Sequence, residues 1–341
     1  MPGKDVIVVG TSSGGVEALR TLVGGLPRDL PASLFVVMHT AADSPSVLAD
    51  ILNRAGPLPA ANARNGERIR PGRVYVAPPD HHLIVEPGVV RVTHGPKENR
   101  FRPAVDPLFR SAAQTYGPRV VGVVLTGGLD DGTSGLWAIK RLGGTAVVQD
   151  PREAFMPSMP QSAMDQVNVD HCLPVAEIAP LLARLAGAPA AEGGAYEVPE
   201  ELNIEVGIAK EEKGLDNGVR KLGEPSVFTC PDCHGTLLQL KEGGRSRFRC
   251  HTGHAFSADS LLAELTESVE NSLWTTIRSI DESVMLMRHI AAHVGESDGD
   301  GASERFLEKA KEAERRSDLV RRAVFEHEKL SEDKVAAEVI S

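Results

Sequence analysis

The sequence predicts an α/β fold, a doubly wound and mostly parallel sheet with helices on both faces, followed by a small cysteine-bearing module and a helical hairpin. Three observations lead there. Over residues 1–188 short β-branched runs alternate with amphipathic stretches, the pattern of a parallel sheet covered on both faces. Over residues 189–225 the composition shifts to Ala, Gly, Pro and Glu. From residue 257 onward apolar residues recur at three- and four-residue steps, as along one face of a helix.

In chain order, the runs VIVV (6–9), LFVVM (34–38), VVGVVL (120–125) and TAVV (145–148) read as strands, with helix-like segments at 15–26, 46–55, 107–116 and 133–142. Residues 74–77 read as a further strand, and LIVEPGVVRV at 83–92 as a hairpin turning at Pro87-Gly88. That hairpin is expected to add antiparallel to the main sheet. Residues 189–225 read as a solvated acidic linker: Glu192 to Lys221 holds eight acidic and four basic residues. Inside it Leu202, Ile204, Val206 and Ile208 alternate like a strand, while PEE at 199–201 is a good helix start. Both readings stay open.

Residues 226–256 contain the cysteine module, and 257–341 a helical hairpin or coiled coil. Ser257 can cap a helix whose apolar face carries Leu262, Leu265, Val269, Leu273, Ile277, Ile280, Val284, Met287, Ala291 and Val294. GESDGDGASE interrupts it, and a second helix follows to about Ile340 with Phe306, Ala313, Leu319, Val320 and Ala323 as its apolar side. Such a seam serves self-association, docking of a signalling partner, or burial within its own hairpin.

Composition bounds the function. In 341 residues, 41% hydrophobic and 25% charged are ordinary for a globular protein, and a net charge of −10 gives no general attraction to nucleic acid or anionic membrane. No apolar run is long enough to insert in a bilayer. Four cysteines are too few for a disulfide scaffold, which points to a reducing, cytoplasmic compartment. The lone Cys172 is expected to pack in the core.

The strongest local signal is VIVVGTSSGG, a strand that ends in Gly10-Thr11-Ser12-Ser13-Gly14-Gly15 and runs into a helix. It matches GxSxG with Ser12 at the centre, where a sharp turn lifts a nucleophilic oxygen out of the sheet. A phosphate-binding turn is the competing reading, although neither GxGxxG nor a GK[ST] ending is present. His39 follows the second strand directly, at the sheet edge where ligands of open α/β folds bind, and an imidazole there can take a serine proton. A third strand ends in Leu129-Asp130-Asp131-Gly132, where one aspartate can cap the next helix while the other orients the imidazole.

GTSSGG, VMH, YVAPPDHHL, RPAVDPLFRSAA (102–113), LTGGLDDGTSG and QDP followed by Met159-Pro160 together resemble the catalytic domain of chemotaxis protein-glutamate methylesterases, the CheB family, over residues 4–187. The resemblance implies a Ser-His-Asp triad of Ser12, His39 and Asp131, needing no catalytic cofactor. It implies hydrolysis of glutamate γ-methyl esters on a methylated chemoreceptor-like protein through an acyl-enzyme, with methanol released, and glutamine deamidation by the same chemistry. The oxyanion would be held by backbone amides, Gly128 and Ser13 being the candidates. The turn reads GGL at 127–129 where the family usually has a GMG-type turn, and Asp130 falls where the family often has Asn. Family members usually carry a receiver domain ahead of the esterase, and the first esterase strand here lies almost at Met1, so regulation is expected from the C-terminal half or a partner. An esterase or amidase with another acyl substrate, and a non-catalytic scaffold, are the alternatives.

Cys230-Pro-Asp-Cys233 is followed by Cys250 and, four residues on, His254. CxxC facing a second Cys/His pair across a hairpin turning at Gly243-Gly244 has the spacing of a zinc-ribbon-like module, closed and therefore structural. His251 and His234 are lesser candidates for the fourth ligand. A redox CxxC competes, but leaves Cys250 and His254 unexplained. Similar CPDC-to-GH segments with helical tails occur attached to esterase domains of this family.

Overall fold

The computed structural model describes residues 3–189, 196–211, 218–242, 245–294 and 301–328. The chain divides into two compact units, Met1–Leu261 and Leu262–Ser341.

The first unit is organised by a seven-stranded, wholly parallel sheet. Its strands are β1 (Val6–Thr11), β2 (Ser33–Met38), β3 (Ala60–Asn62), β4 (Arg73–Val76), β7 (Val120–Val124), β8 (Thr145–Gln149) and β9 (His171–Leu173), in the order β3-β4-β2-β1-β7-β8-β9. Helices α1 (Gly15–Gly24), α2 (Leu48–Ala55) and α6 (Val175–Gly187) cover one face, and α3 (Val105–Tyr116), α4 (Thr133–Arg141) and α5 (Ser158–Gln166) the other. Both faces of β1 are therefore apolar: Val6 and Val8 join the α3–α5 core, Ile7 and Val9 the α1, α2 and α6 core. The winding leaves β1 towards β2 and later restarts with β7 on its other side. The crevice at the carboxyl ends of β1 and β7 is the topological switch point.

Three expectations need correction here. The hairpin β5 (His82–Glu86) and β6 (Val89–Thr93) is a separate two-stranded sheet and does not extend the main one. Its apolar side, Leu83, Val85 and Val90, is buried in the core that α3 shares, which fixes it over a helix instead of at a sheet edge. Part of the acidic stretch is no solvated connector: Glu200–Ala209 forms α7, whose Leu202 and Val206 enter the α3 core while Ile204 and Ile208 pack with Leu240. Cys172 is exposed, because β9 is an edge strand, and its sulfur lies 3.5 Å from Met164 Sδ.

A four-stranded antiparallel sheet follows, β10 (Gly223–Thr229), β11 (Thr236–Glu242), β12 (Arg245–Cys250) and β13 (Ala255–Ser257). The expected turn at Gly243-Gly244 lies outside the described residues. Cys230, Leu237, Phe248, Cys250, Phe256 and Leu261 make its small core. This sheet joins the α/β body through buried charge: Arg249 donates to Glu98 and Glu205 at 3.0 Å each, Arg247 pairs with Glu205 at 2.9 Å, and Arg110 pairs with Glu98.

Helix α8 (Ala258–Val294) begins at the end of this sheet, where the Ser257 hydroxyl accepts the Ser260 amide at 3.0 Å. In the second unit α9 (Ala302–Glu328) returns antiparallel along it, since Ser303 bonds Ala291, Arg288 pairs with Glu314, and Ser317 bonds Asp281. Ile277, Val284 and Ala291 are buried at seven-residue spacing against Ala310, Ser317 and Val324 at the same spacing. Leu319 and Ala323 fall outside this seam and are exposed. So are Leu262, Leu265 and Val269. The expected continuation to Ile340 lies outside the described residues. No described helix is long and apolar enough to cross a membrane.

Candidate active site

The ends of β1 and β7 are stitched together by one threonine. Thr126 O accepts the Ser12 amide (3.0 Å) and the Thr11 hydroxyl (2.7 Å), while its own hydroxyl donates to Ser13 O (2.8 Å) and accepts from the Met156 amide (2.8 Å). Gly14, at φ 77°, then turns the chain into α1. Ser12 is left half-buried at the mouth of the crevice. Gly127 backs it so closely that a Cβ there would lie 2.8 Å from Ser12 Cβ and 2.1 Å from Met159 Sδ. Among the described residues the amides of Ser13 and Gly128 donate to no protein acceptor.

His39 leaves β2 with its amide bonded to Thr11 O at 3.2 Å. Its ring stacks on Phe101, centroids 3.8 Å apart and planes 8° from parallel, and its Nε2 lies 2.7 Å from Asp131 Oδ2. Both side chains are buried, 3% and 2% exposed. Nδ1 has no hydrogen-bond partner among the described residues, the Ser12 hydroxyl included. With Nε2–H directed at the carboxylate, Nδ1 of the neutral ring is its basic atom.

Asp131 is held from several sides. Oδ2 also accepts the Val105 amide (2.7 Å), and Oδ1 accepts Asn99 Nδ2 (2.9 Å) and the Gly132 amide (2.9 Å). Burial pushes its carboxyl up, but the His39 hydrogen bond and charge, with the donors from Val105 and Asn99, outweigh that and hold it below the ordinary carboxylate range. Its neighbour Asp106 is the converse: burial and the Asp131 charge raise it to about 7. Asp130 does not cap α4, as one of the two aspartates was expected to. Its carboxylate accepts the Ser257 hydroxyl at 2.6 Å, and burial raises it to about 7.

The segment from Pro96 to Ala104 closes one side of the crevice and is pinned by His82, whose Nε2 bonds Pro96 O (2.9 Å) and whose Nδ1 accepts the Ala104 amide (3.2 Å). Complete burial lowers the pKa of His82, which suits a neutral ring donating at one nitrogen and accepting at the other. Ser12, Ser13, His39, Phe101, Arg102 and Lys97 line a cleft of about 660 Å³. Sequence reasoning missed Asn99 and Phe101. They lie immediately before the Arg102–Ala113 motif, and their polar surroundings look like an ordinary loop.

In the four-stranded sheet one ligand atom each from Cys230, Cys233, Cys250 and His254 lies within 4.8 Å of the others. Cys233 and Cys250 sulfurs are 3.6 Å apart, and His254 Nδ1 is 3.6 Å from Cys250 and 3.7 Å from Cys230. A tetrahedron with zinc–sulfur bonds of about 2.3 Å and zinc–nitrogen bonds of about 2.0 Å has edges of about 3.5–3.8 Å. The donor set fits. His234 and His251 are not part of this group.

The model of the CheB methylesterase family matches residues 7–182. A protein-glutamate methylesterase/protein-glutamine glutaminase 2 of Anaeromyxobacter dehalogenans is 42% identical over 174 residues, 51% of each chain. A protein of Leptospira interrogans named putative protein-glutamate methylesterase/protein-glutamine glutaminase is 38% identical over 182 residues, 53% of this chain and 94% of the relative. The chain thus spans about half the length of the first and nearly all of the second. The crystal structure of the Thermotoga maritima CheB methylesterase catalytic domain superposes with a TM-score of 0.52 at 34% identity, covering 54% of this chain and all of that one.

Proposed function

The chain belongs to the CheB methylesterase family, and from that premise we propose that it hydrolyses glutamate γ-methyl esters on a methylated chemoreceptor-like protein in the cytoplasm. Ser12 Oγ attacks the ester carbonyl as its proton passes to His39 Nδ1. Asp131 holds the imidazole in the required tautomer and stabilises its cation. The oxyanion is held by the amides of Ser13 and Gly128. The C–O bond breaks, His39 returns the proton to the leaving oxygen, and methanol departs. Water, deprotonated by His39, then cleaves the acyl-enzyme to a glutamate carboxylate and frees Ser12. Glutamine side chains enter the same sequence with ammonia as the leaving group. The observation that carries this reading is the buried 2.7 Å His39–Asp131 contact, with the second ring nitrogen unpartnered at a cleft that Ser12 also lines.

Cys230, Cys233, Cys250 and His254 are proposed to hold a zinc ion. Four protein ligands leave no vacancy for substrate, so the ion would brace the two turns of the small sheet and supply no step of the reaction.

Methanol release from membranes carrying methylated receptors tests the esterase reading. Wild-type protein should release it and Ser12→Ala should not; equal release would overturn the proposal. Ser12-dependent hydrolysis confined to small esters would point to a different acyl donor on the same machinery.

A further inference from the structure

Glu98 and Phe101 exchange backbone hydrogen bonds of 3.2 and 2.9 Å across a two-residue turn in which Asn99 (φ 48°) and Arg100 (φ 76°) are both left-handed. Asn tolerates that region; Arg does so poorly. Such a conformation persists only where the surroundings over-determine it. Here much of the hold comes from the C-terminal module, meaning the four-stranded sheet β10–β13 with the first turn of α8. The Asn99 amide donates to Ala255 O (2.8 Å), the Ala255 amide to Lys97 O (3.3 Å), and Arg249 bonds Glu98 (3.0 Å).

The Asn99 side chain is fixed by the same module. Its Oδ1 accepts the Ser257 amide (3.0 Å) and the Ser260 hydroxyl (3.2 Å). With the oxygen committed to these donors, the NH₂ group must face the other way. It donates there to Asp131 Oδ1 (2.9 Å) and Asp106 Oδ2 (3.1 Å). Without those two donors only the carboxylates hold the carboxamide, so its NH₂ group is less firmly directed at Asp131.

We propose that Asn99 is a positioning residue for Asp131, and that Ser257 and Ser260 of the C-terminal module set its orientation, which makes that module a working part of the active site. The proposal rests on Asp131 being the carboxylate that orients His39. It assigns a function to a segment outside the 7–182 family match, acting through a residue that touches neither substrate nor reacting atoms.

The test is labelling of the full-length chain by a fluorophosphonate, which phosphonylates a base-activated serine. The stoichiometry counts intact sites, and the rate constant reports how well His39 activates Ser12. Asn99→Gly, which keeps the left-handed backbone, should slow labelling about tenfold and Ser260→Ala about threefold, both at unchanged stoichiometry. Ser260→Thr should restore the rate. Adding Ser260→Ala to Asn99→Gly should cost nothing further, because the relay is already cut. Wild-type rates in both single variants, or losses that simply multiply in the double variant, would overturn the proposal. If Asn99→Gly loses sites, the contrast between Ser260→Ala and Ser260→Thr decides on the same criterion. Absence of Ser12-dependent labelling in the wild type would instead overturn the serine-nucleophile reading, and this proposal with it.

Discussion

Arg249 of β12 donates a 3.0 Å hydrogen bond to Glu98, and both side chains are buried where the small sheet meets the α/β body. Burial disfavours the Glu98 carboxylate, yet Arg110 and Arg249 outweigh it and hold Glu98 below the ordinary carboxylate range. Glu205 is lowered in the same way, by Arg110, Arg247 and Arg249 against its own burial. The joint is therefore ionic and buried, and its charges depend on one another.

Removing one partner leaves a buried charge without its counterion, so Arg249→Leu should lower stability by about 3–5 kcal/mol in urea unfolding. A loss below about 1 kcal/mol would mean that the remaining cations suffice. Acid gives the second signature. A carboxylate with a depressed folded pKa contributes stability that is fully present above its unfolded value and is lost as pH falls through the folded one. The wild type should therefore lose stability on acidification more steeply than Glu98→Gln, and equal slopes would contradict the depressed pKa.

The carboxylate of Asp131 faces the imidazole at 2.7 Å and cannot be replaced by an amide without changing the tautomer. Asp131→Asn should lower kcat for ester hydrolysis by about 10³–10⁴-fold with little change in KM. A loss of less than about tenfold would remove Asp131 from the proposed triad.

The strand ends carrying Ser12, His39 and Asp131 were legible because each joins an apolar run to Gly-rich or helix-starting residues, a pattern written in adjacent positions. Asn99 was not, since its contacts are with Ala255, Ser257 and Ser260, more than 150 positions away. Helix α7 was ambiguous for a different reason. Leu202 and Val206 are buried on one side and Ile204 and Ile208 on another, so packing from two directions erased the one-sided stripe of an amphipathic helix and left a strand-like alternation. The β5–β6 hairpin was recognisable as a hairpin, but what it packs against is a property of α3, not of its own residues.

Gly127 bears directly on Ser12, the proposed nucleophile. A methyl group there would press on Ser12 Cβ at 2.8 Å and on Met159 Sδ at 2.1 Å, contacts that only displacement relieves. Gly127→Ala should cost about 10²-fold in kcat/KM by shifting Ser12 out of line, while the protein remains folded by circular dichroism. Unchanged kinetics would show that Met159 alone gives way.

Metal analysis should find about one zinc per chain, lost in Cys250→Ser and in Cys230→Ser together with a drop in melting temperature. Wild-type metal content in both variants would refute the ligand set. A disulfide between Cys230 and Cys233 in the isolated protein, seen as two thiols missing from a titration under denaturing conditions, would favour the redox alternative.

Asp130 carries the opposite pH dependence to Glu98. Its carboxyl is raised to about 7 by burial, against the lowering effect of the Ser257 hydroxyl, whereas in the unfolded chain it ionises near pH 4. Between those values the folded state holds a proton that the unfolded state has released, so the contribution of Asp130 to stability falls as pH rises and is fully lost above about 7. Asp130→Asn preserves an oxygen acceptor for Ser257 and cannot ionise. The variant should match the wild type near pH 4 and exceed it by an amount that grows to about 2–4 kcal/mol by pH 8, measured by urea unfolding at each pH. Asp106 titrates in the same direction in both proteins, so the difference between them isolates Asp130. A difference that stayed constant or shrank with rising pH would show that Asp130 is ionised in the folded protein, with Ser257 and the α8 N-terminus stabilising its charge.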